Sequence, residues 1–352
     1  MYNQLNDSDI VDCVHELVKD FGVREDINPH SLLMLLKQDK DQECITSIAA
    51  YLGLPIKVQL SYMSTDDDSE MTTESIQPSY EVPMSIGGKV AAIIFIPKSI
   101  PEYGSSALVN FPINVRITRG CHKQPETFIT CIAHELSHVL LHSMRSPKSS
   151  AELYVDLLPM VFGFTLIIEK GRKVISTTSD WNEHTTQTTI YGYLSDSQFR
   201  CARDAVHFIL DNHLKNKKQL LLKIKAIDIM VCRMNRLMNQ FKRYLNSIDK
   251  KRDVQIKKDD VSRLVLYHSC NYTGAWGEWC NKAISVSSKA FEFTSQLVLF
   301  TTQSLRELEE RAQMIDDLQK NIQESLSLIH QDIRRIRKYV DWRVRLRSVV
   351  MK

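Results

Sequence analysis

The chain has no closely spaced cysteine pair of the C-x-x-C kind. Its eight cysteines are scattered, which excludes a paired-cysteine zinc ribbon and a dense disulfide scaffold. Free thiols in a reducing, cytoplasmic compartment are expected. Long apolar runs are also missing. None approaches the roughly 18 residues that mark a membrane span, so no transmembrane segment is expected. Residues Met1 to Asp7 lack the basic and apolar stretches of a cleaved leader. No helix-turn-helix or zinc-finger pattern occurs, so sequence-specific nucleic-acid recognition has no motif behind it.

The 352 residues exceed what one core usually needs, and 43% of them are hydrophobic, which is enough to fold. The net charge of +3 hides an asymmetry. Residues 214–352 hold 28 basic and 15 acidic side chains, a net +13, and residues 1–213 carry a net −10. An acidic front half is joined to a basic rear half, with a boundary near Asn212–Lys218.

Apolar spacing predicts a helix over 8–21 capped by Ser8, and another over about 31–52. Strands are expected at 56–60, 90–96 and 114–118. Ser64–Glu81 reads as an acidic loop. Pro125 opens a helix that should reach about Met144, with Glu126 in its first turn. A helix over 148–158 should end or bend at Pro159 and Gly163. Residues 171–190 are polar and Thr-rich and suggest no element. Ser195-Asp196-Ser197-Gln198 is a capping-box pattern for a helix to about Asn212. In the rear half, Leu220, Ile224, Ile227, Val231, Met234 and Met238 begin a 4-3 apolar repeat, and a second repeat runs from Leu305 to Val340. The expected fold is α+β: a small sheet with the motif helix, followed by an all-α, coiled-coil-like region. The expected domains are an N-terminal helical segment over 1–54, an α+β domain over 55–213 and a basic helical domain over 214–352.

The chemistry concentrates in His134-Glu135-Leu136-Ser137-His138, an H-E-x-x-H pattern. On a helix, positions i and i+4 share a face, with Cβ atoms about 5–6 Å apart. Two imidazoles there can bind one ion, and Glu135 between them can act as general base. The flanking Phe128, Ile129, Ile132, Val139 and Leu140 predict a buried helix, where His and Glu need a reason to be. The plainer alternative is a surface helix with solvated side chains. His142 lies roughly 12 Å along the axis from His134 at 1.5 Å per residue, too far to share an ion with both histidines. Glu152 and Asp156, one turn apart on the next helix, are the better candidates for the third ligand, the plainer alternative being that both are solvated; Glu152 can face the ion. Asp156, one turn beyond, can accept a hydrogen bond from a ligand imidazole.

His134-Glu135-x-x-His138 followed by Glu152-x-x-x-Asp156 resembles the gluzincins. The compact front half, with Leu141 and His142 after the motif, resembles the ImmA/IrrE-type peptidase domain over roughly 50–212. Leu153-Tyr154-Val155-Asp156 replaces the usual Ala-Asn stretch, and Ser137 stands where Gly is common. The resemblance implies a zinc metallopeptidase. His134, His138 and Glu152 would be its ligands, with Glu135 moving the proton. Tyr191, Tyr193 and His184 are candidate oxyanion donors. The implied partner is a protein substrate. The heptad helices would recognise it, pair with a partner protein or form a homo-oligomer. The basic cluster Arg334–Arg347 would touch phosphate or be a solvated face. The competing readings are a non-catalytic assembly protein and a nucleic-acid-associated regulator, each with a structural or vestigial metal site.

Overall fold

A computed structural model describes residues 6–63, 80–86, 89–122, 124–180, 183–249 and 278–350. The fold is α+β. The chain forms two compact units. The first comprises Met1–Asp211 with Val298–Thr302, and the second Asn212–Leu297 with Gln303–Lys352. Residues 1–54 therefore pack within the first unit, along with the α+β elements.

The first unit opens with α1, Asp7–Phe21. Its cap is Asn6 rather than Ser8: the Asn6 side chain accepts from the Asp9 amide, and Asp9 returns the bond. Strand β1, Val23–Arg24, follows. The single helix expected over 31–52 is two, α2 (Pro29–Lys37) and α3 (Asp41–Tyr51). Asp39 between them takes a left-handed φ of 54°, a break that no glycine or proline announces.

The sheet has four strands: β2 (Lys57–Met63), β3 (Tyr80–Ile86), β4 (Lys89–Ile96) and β5 (Pro112–Thr118). Their order is β2-β5-β4-β3. Strands β2 and β5 are parallel, and the other pairs are antiparallel. Most of the acidic loop expected over 64–81 lies outside the described residues. Its last two positions open β3. Alternation sets the buried face: Ile113, Val115 and Ile117 of β5 and Ala92, Ile94 and Ile96 of β4 are core. After the short α4 (Arg119–His122), helix α5 (Pro125–Ser143) packs on β4, and α3 packs on both β2 and α5.

Helix α6 is shorter than expected, Glu152–Pro159, because Pro147–Ser150 forms a separate 3₁₀ turn capped by Ser146. The chain does not stop at Pro159. It continues through a π turn, Met160–Phe164, into α7, Thr165–Gly171. Gly163 makes this reversal possible. Its φ is +87°, and a Cβ there would meet the Glu25 carbonyl oxygen at 2.3 Å. The Thr-rich stretch forms an antiparallel hairpin, β6 (Lys173–Asp180) and β7 (Glu183–Ile190), in register from Lys173–Ile190 to Asp180–Glu183.

Ser195 and Gln198 close the expected capping box. The helix they open, α8, does not end near Asn212 but runs Asp196–Asp249. A change in charge does not break a helix that keeps its apolar repeat. In the second unit, α8 is joined by a helix over 278–296 (α9), which the sequence reading missed, and by α10, Thr302–Val350. Leu220, Ile224, Ile227, Val231 and Met234 of α8 are buried, as are Leu308, Ile315, Ile322, Leu326 and Ile329 of α10. Arg334 is exposed; the rest of the basic cluster has side chains outside the described residues. Strand β8, Leu299–Phe300, pairs antiparallel with β1. Among the described residues, no helix is long and apolar enough to cross a membrane, and seven cysteines are free thiols.

Gly163→Ala should destabilise the first unit by about 2 kcal/mol, from left-handed strain plus the Glu25 contact. At roughly 2–4 °C per kcal/mol, a thermal melt should show a Tm lower by about 4–8 °C.

Candidate metal centre

Helix α5 is buried from Thr127 to Leu141 on every side. Such a helix belongs in a core, and apolar residues fill most of it. Against that background, His134 is 3% exposed, and Glu135 and His138 are 0%. The one-turn spacing sets the two imidazoles side by side, with ring centroids 5.1 Å apart and planes at 79°.

Glu152 is the first residue of α6, where the helix dipole favours a carboxylate. Its Oε2 lies 3.3 Å from His134 Nε2 and 3.5 Å from His138 Nε2. One ligand atom from each of these three residues fits within a 4.8 Å group. Tetrahedral zinc with bonds of about 2.0–2.1 Å sets its ligand atoms about 3.3–3.4 Å apart, close to both observed distances. The buried atoms facing this point have no well-aligned hydrogen-bond partner: His134 Nε2, His138 Nε2 and Glu152 Oε2; both oxygens of the neighbouring Glu135 are likewise buried and unpaired. Buried polar atoms are nearly always paired, so a cluster of orphans converging on one point fits a cation. The three residues therefore form a possible metal site.

The support around His134 is complete. Asp156 Oδ1 accepts from His134 Nδ1 at 2.7 Å, which orients the ring so that Nε2 is the nitrogen on the Glu152 side. Asp156 Oδ2 accepts from the backbone N–H of Tyr193 at 2.5 Å and of Leu194 at 3.2 Å. The Tyr193 ring stacks on His134, centroids 6.0 Å apart. Around His138, the Ser149 carbonyl favours the protonated ring, although no hydrogen bond of good geometry closes on Nδ1.

The electrostatics follow from burial. Burial disfavours the His134 imidazolium, but the Asp156 and Glu152 carboxylates outweigh it and push the pKa up to about 10. Burial pushes Glu135 up to about 8; His134 opposes the rise and Glu152 reinforces it. Burial would also raise Glu152, yet the two imidazoles hold it down to about 2. Burial keeps His138 below the ordinary histidine range.

His142 is outside the three-residue group, half-buried further along α5. Tyr191 lines the small cavity beside His134 and interacts with Cys121. The His184 side chain lies outside the described residues. Sequence reasoning missed the amides of Tyr193 and Leu194, because a backbone donor leaves no residue-type signal.

Titration with Zn²⁺ should show one ion per chain. At a hundred times Kd it should stabilise the first unit by about 2.7 kcal/mol, reversed by a chelator. Asp156→Asn should keep that stoichiometry while weakening affinity about 10–100-fold in a competition assay. Comparison of the chain with protein-family models, with curated proteins and with solved structures finds no match.

Proposed function

We propose that the protein is a cytoplasmic zinc metallopeptidase of gluzincin type, similar to the ImmA/IrrE-type domain, which cleaves a protein target. The observation that carries this reading is the convergence of His134, His138 and Glu152, with Glu135 between the two histidines. Two imidazoles and one carboxylate are a donor set suited to zinc, and three protein ligands leave a position for chemistry.

A bound zinc ion would polarise the scissile carbonyl and acidify a water. The chain's own residues supply the rest. Glu135 accepts the proton of the attacking water and delivers it to the leaving nitrogen. Asp156 keeps His134 in one tautomer throughout. Glu152 is the most open of the four site residues, its side chain 17% exposed, so substrate approaches from the α6 N-terminus. The helical rear half would choose the substrate or partner.

A second reading is a non-catalytic interaction protein with a structural metal site. The complete burial of Glu135 favours it. Glu135→Gln separates the two. On the peptidase reading, a proteome-wide cleavage comparison with wild type should show products lost in the variant, with turnover lower by at least about 10²–10⁴-fold and one zinc per chain retained. Identical product patterns would leave the structural reading standing.

A further inference from the structure

Arg172 is a cation with no role in the chemistry above, yet it is only 6% exposed. A buried guanidinium needs partners for its donors, and all of its contacts fall on one turn and the helix it starts. Its Nη2 donates to the Leu194 carbonyl at 2.5 Å, and its Nη1 to Asp196 Oδ1 at 2.6 Å. The guanidinium lies over the Phe199 ring, 4.7 Å from its centroid. Its backbone carbonyl accepts from the Tyr191 N–H at 2.7 Å. Arg172 thus holds the Tyr191–Asp196 turn at both ends.

The middle of the same turn holds Asp156, through the Tyr193 and Leu194 amides. The intervening residue is Gly192, with φ +101°. A Cβ there would stand 3.1–3.2 Å from the Asp156 carboxylate oxygens, so the backbone bends closely around the carboxylate. The other Asp156 oxygen fixes His134. His134, Asp156, Arg172 and Leu194 also line one small cavity. The contacts run unbroken from Arg172 to the turn, to Asp156, to a ligand imidazole.

We propose that Arg172 is a positioning residue of the metal centre: it fixes the 191–196 turn whose amides aim the Asp156 carboxylate at His134. The inference rests on metal binding at His134, His138 and Glu152, and not on peptide hydrolysis. A guanidinium that merely anchored α8 would stabilise the fold without affecting the ion. One that aims Asp156 changes ligand geometry and affinity.

The experiment measures Zn²⁺ affinity by chelator competition and the visible spectrum of the Co²⁺-loaded full chain, with circular dichroism as the folding check. Arg172→Gln should weaken Zn²⁺ about tenfold and shift the Co²⁺ bands. In an Asp156→Ala background the same substitution should change affinity less than twofold, because Arg172 acts through Asp156. Asp196→Asn, at a half-exposed position that leaves the core intact, should weaken Zn²⁺ about two- to threefold and decides the question if Arg172→Gln does not fold. Unchanged affinity and Co²⁺ spectrum in the folded variant, or independent losses that multiply in the double variant, would overturn the proposal. A wild-type chain that binds no Zn²⁺ would overturn the metal centre and this inference together. Zn²⁺ binding without any Glu135-dependent cleavage would overturn only the peptidase reading.

Discussion

The structure turns on placing ionisable side chains inside a helix that has no solvent face. Helix α5 is core on all sides, yet it carries His134, Glu135 and His138. Isolated charges in such a place are prohibitively costly, so each must be neutralised, paired or bound. The elements after α5 supply that compensation. Helix α6 brings Glu152 and Asp156 on one face, four residues apart. The turn before α8 supplies amides to Asp156, and Arg172 supports the turn. The fold is organised to make a polar point in an apolar interior tolerable.

The same constraint separates the roles of the two α6 carboxylates. Glu152 and Asp156 both approach His134, but on opposite ring nitrogens. Asp156 has all its visible contacts satisfied by the imidazole and two amides. Glu152 Oε2 is buried 3.3–3.5 Å from both imidazole Nε2 atoms without a well-aligned hydrogen bond to either. A satisfied carboxylate orients its neighbour; an unsatisfied one is available to a cation.

Much of this was legible from residue types at fixed spacing. His134 and His138 share a face because helical periodicity requires it, and Glu152 and Asp156 obey the same rule. Strands β2 and β5 announced themselves by alternation, β4 by a continuous apolar run, and the Ser195–Gln198 box by its pattern. What escaped had physical reasons. The break at Asp39 uses a left-handed non-glycine residue. The 173–190 hairpin is built from Thr and Ser with little apolar signal. Helix α8 runs past Asn212 because its apolar repeat continues, although the division into two units does fall between Asp211 and Asn212, where the charge shifts. Arg172 and the 191–194 amides are joined to the site by tertiary contacts that no linear pattern records.

The pairing of β1 with β8 has a consequence for synthesis. Val23 and Arg24 find their partners in Phe300 and Leu299, about 275 residues later. At about 5–20 residues per second, a translating ribosome leaves β1 without its partner for roughly 15–55 s. Through that interval the nascent front unit carries an open strand edge, the kind of surface that invites wrong pairings. Its last step of closure waits for a segment made after most of the second unit has emerged.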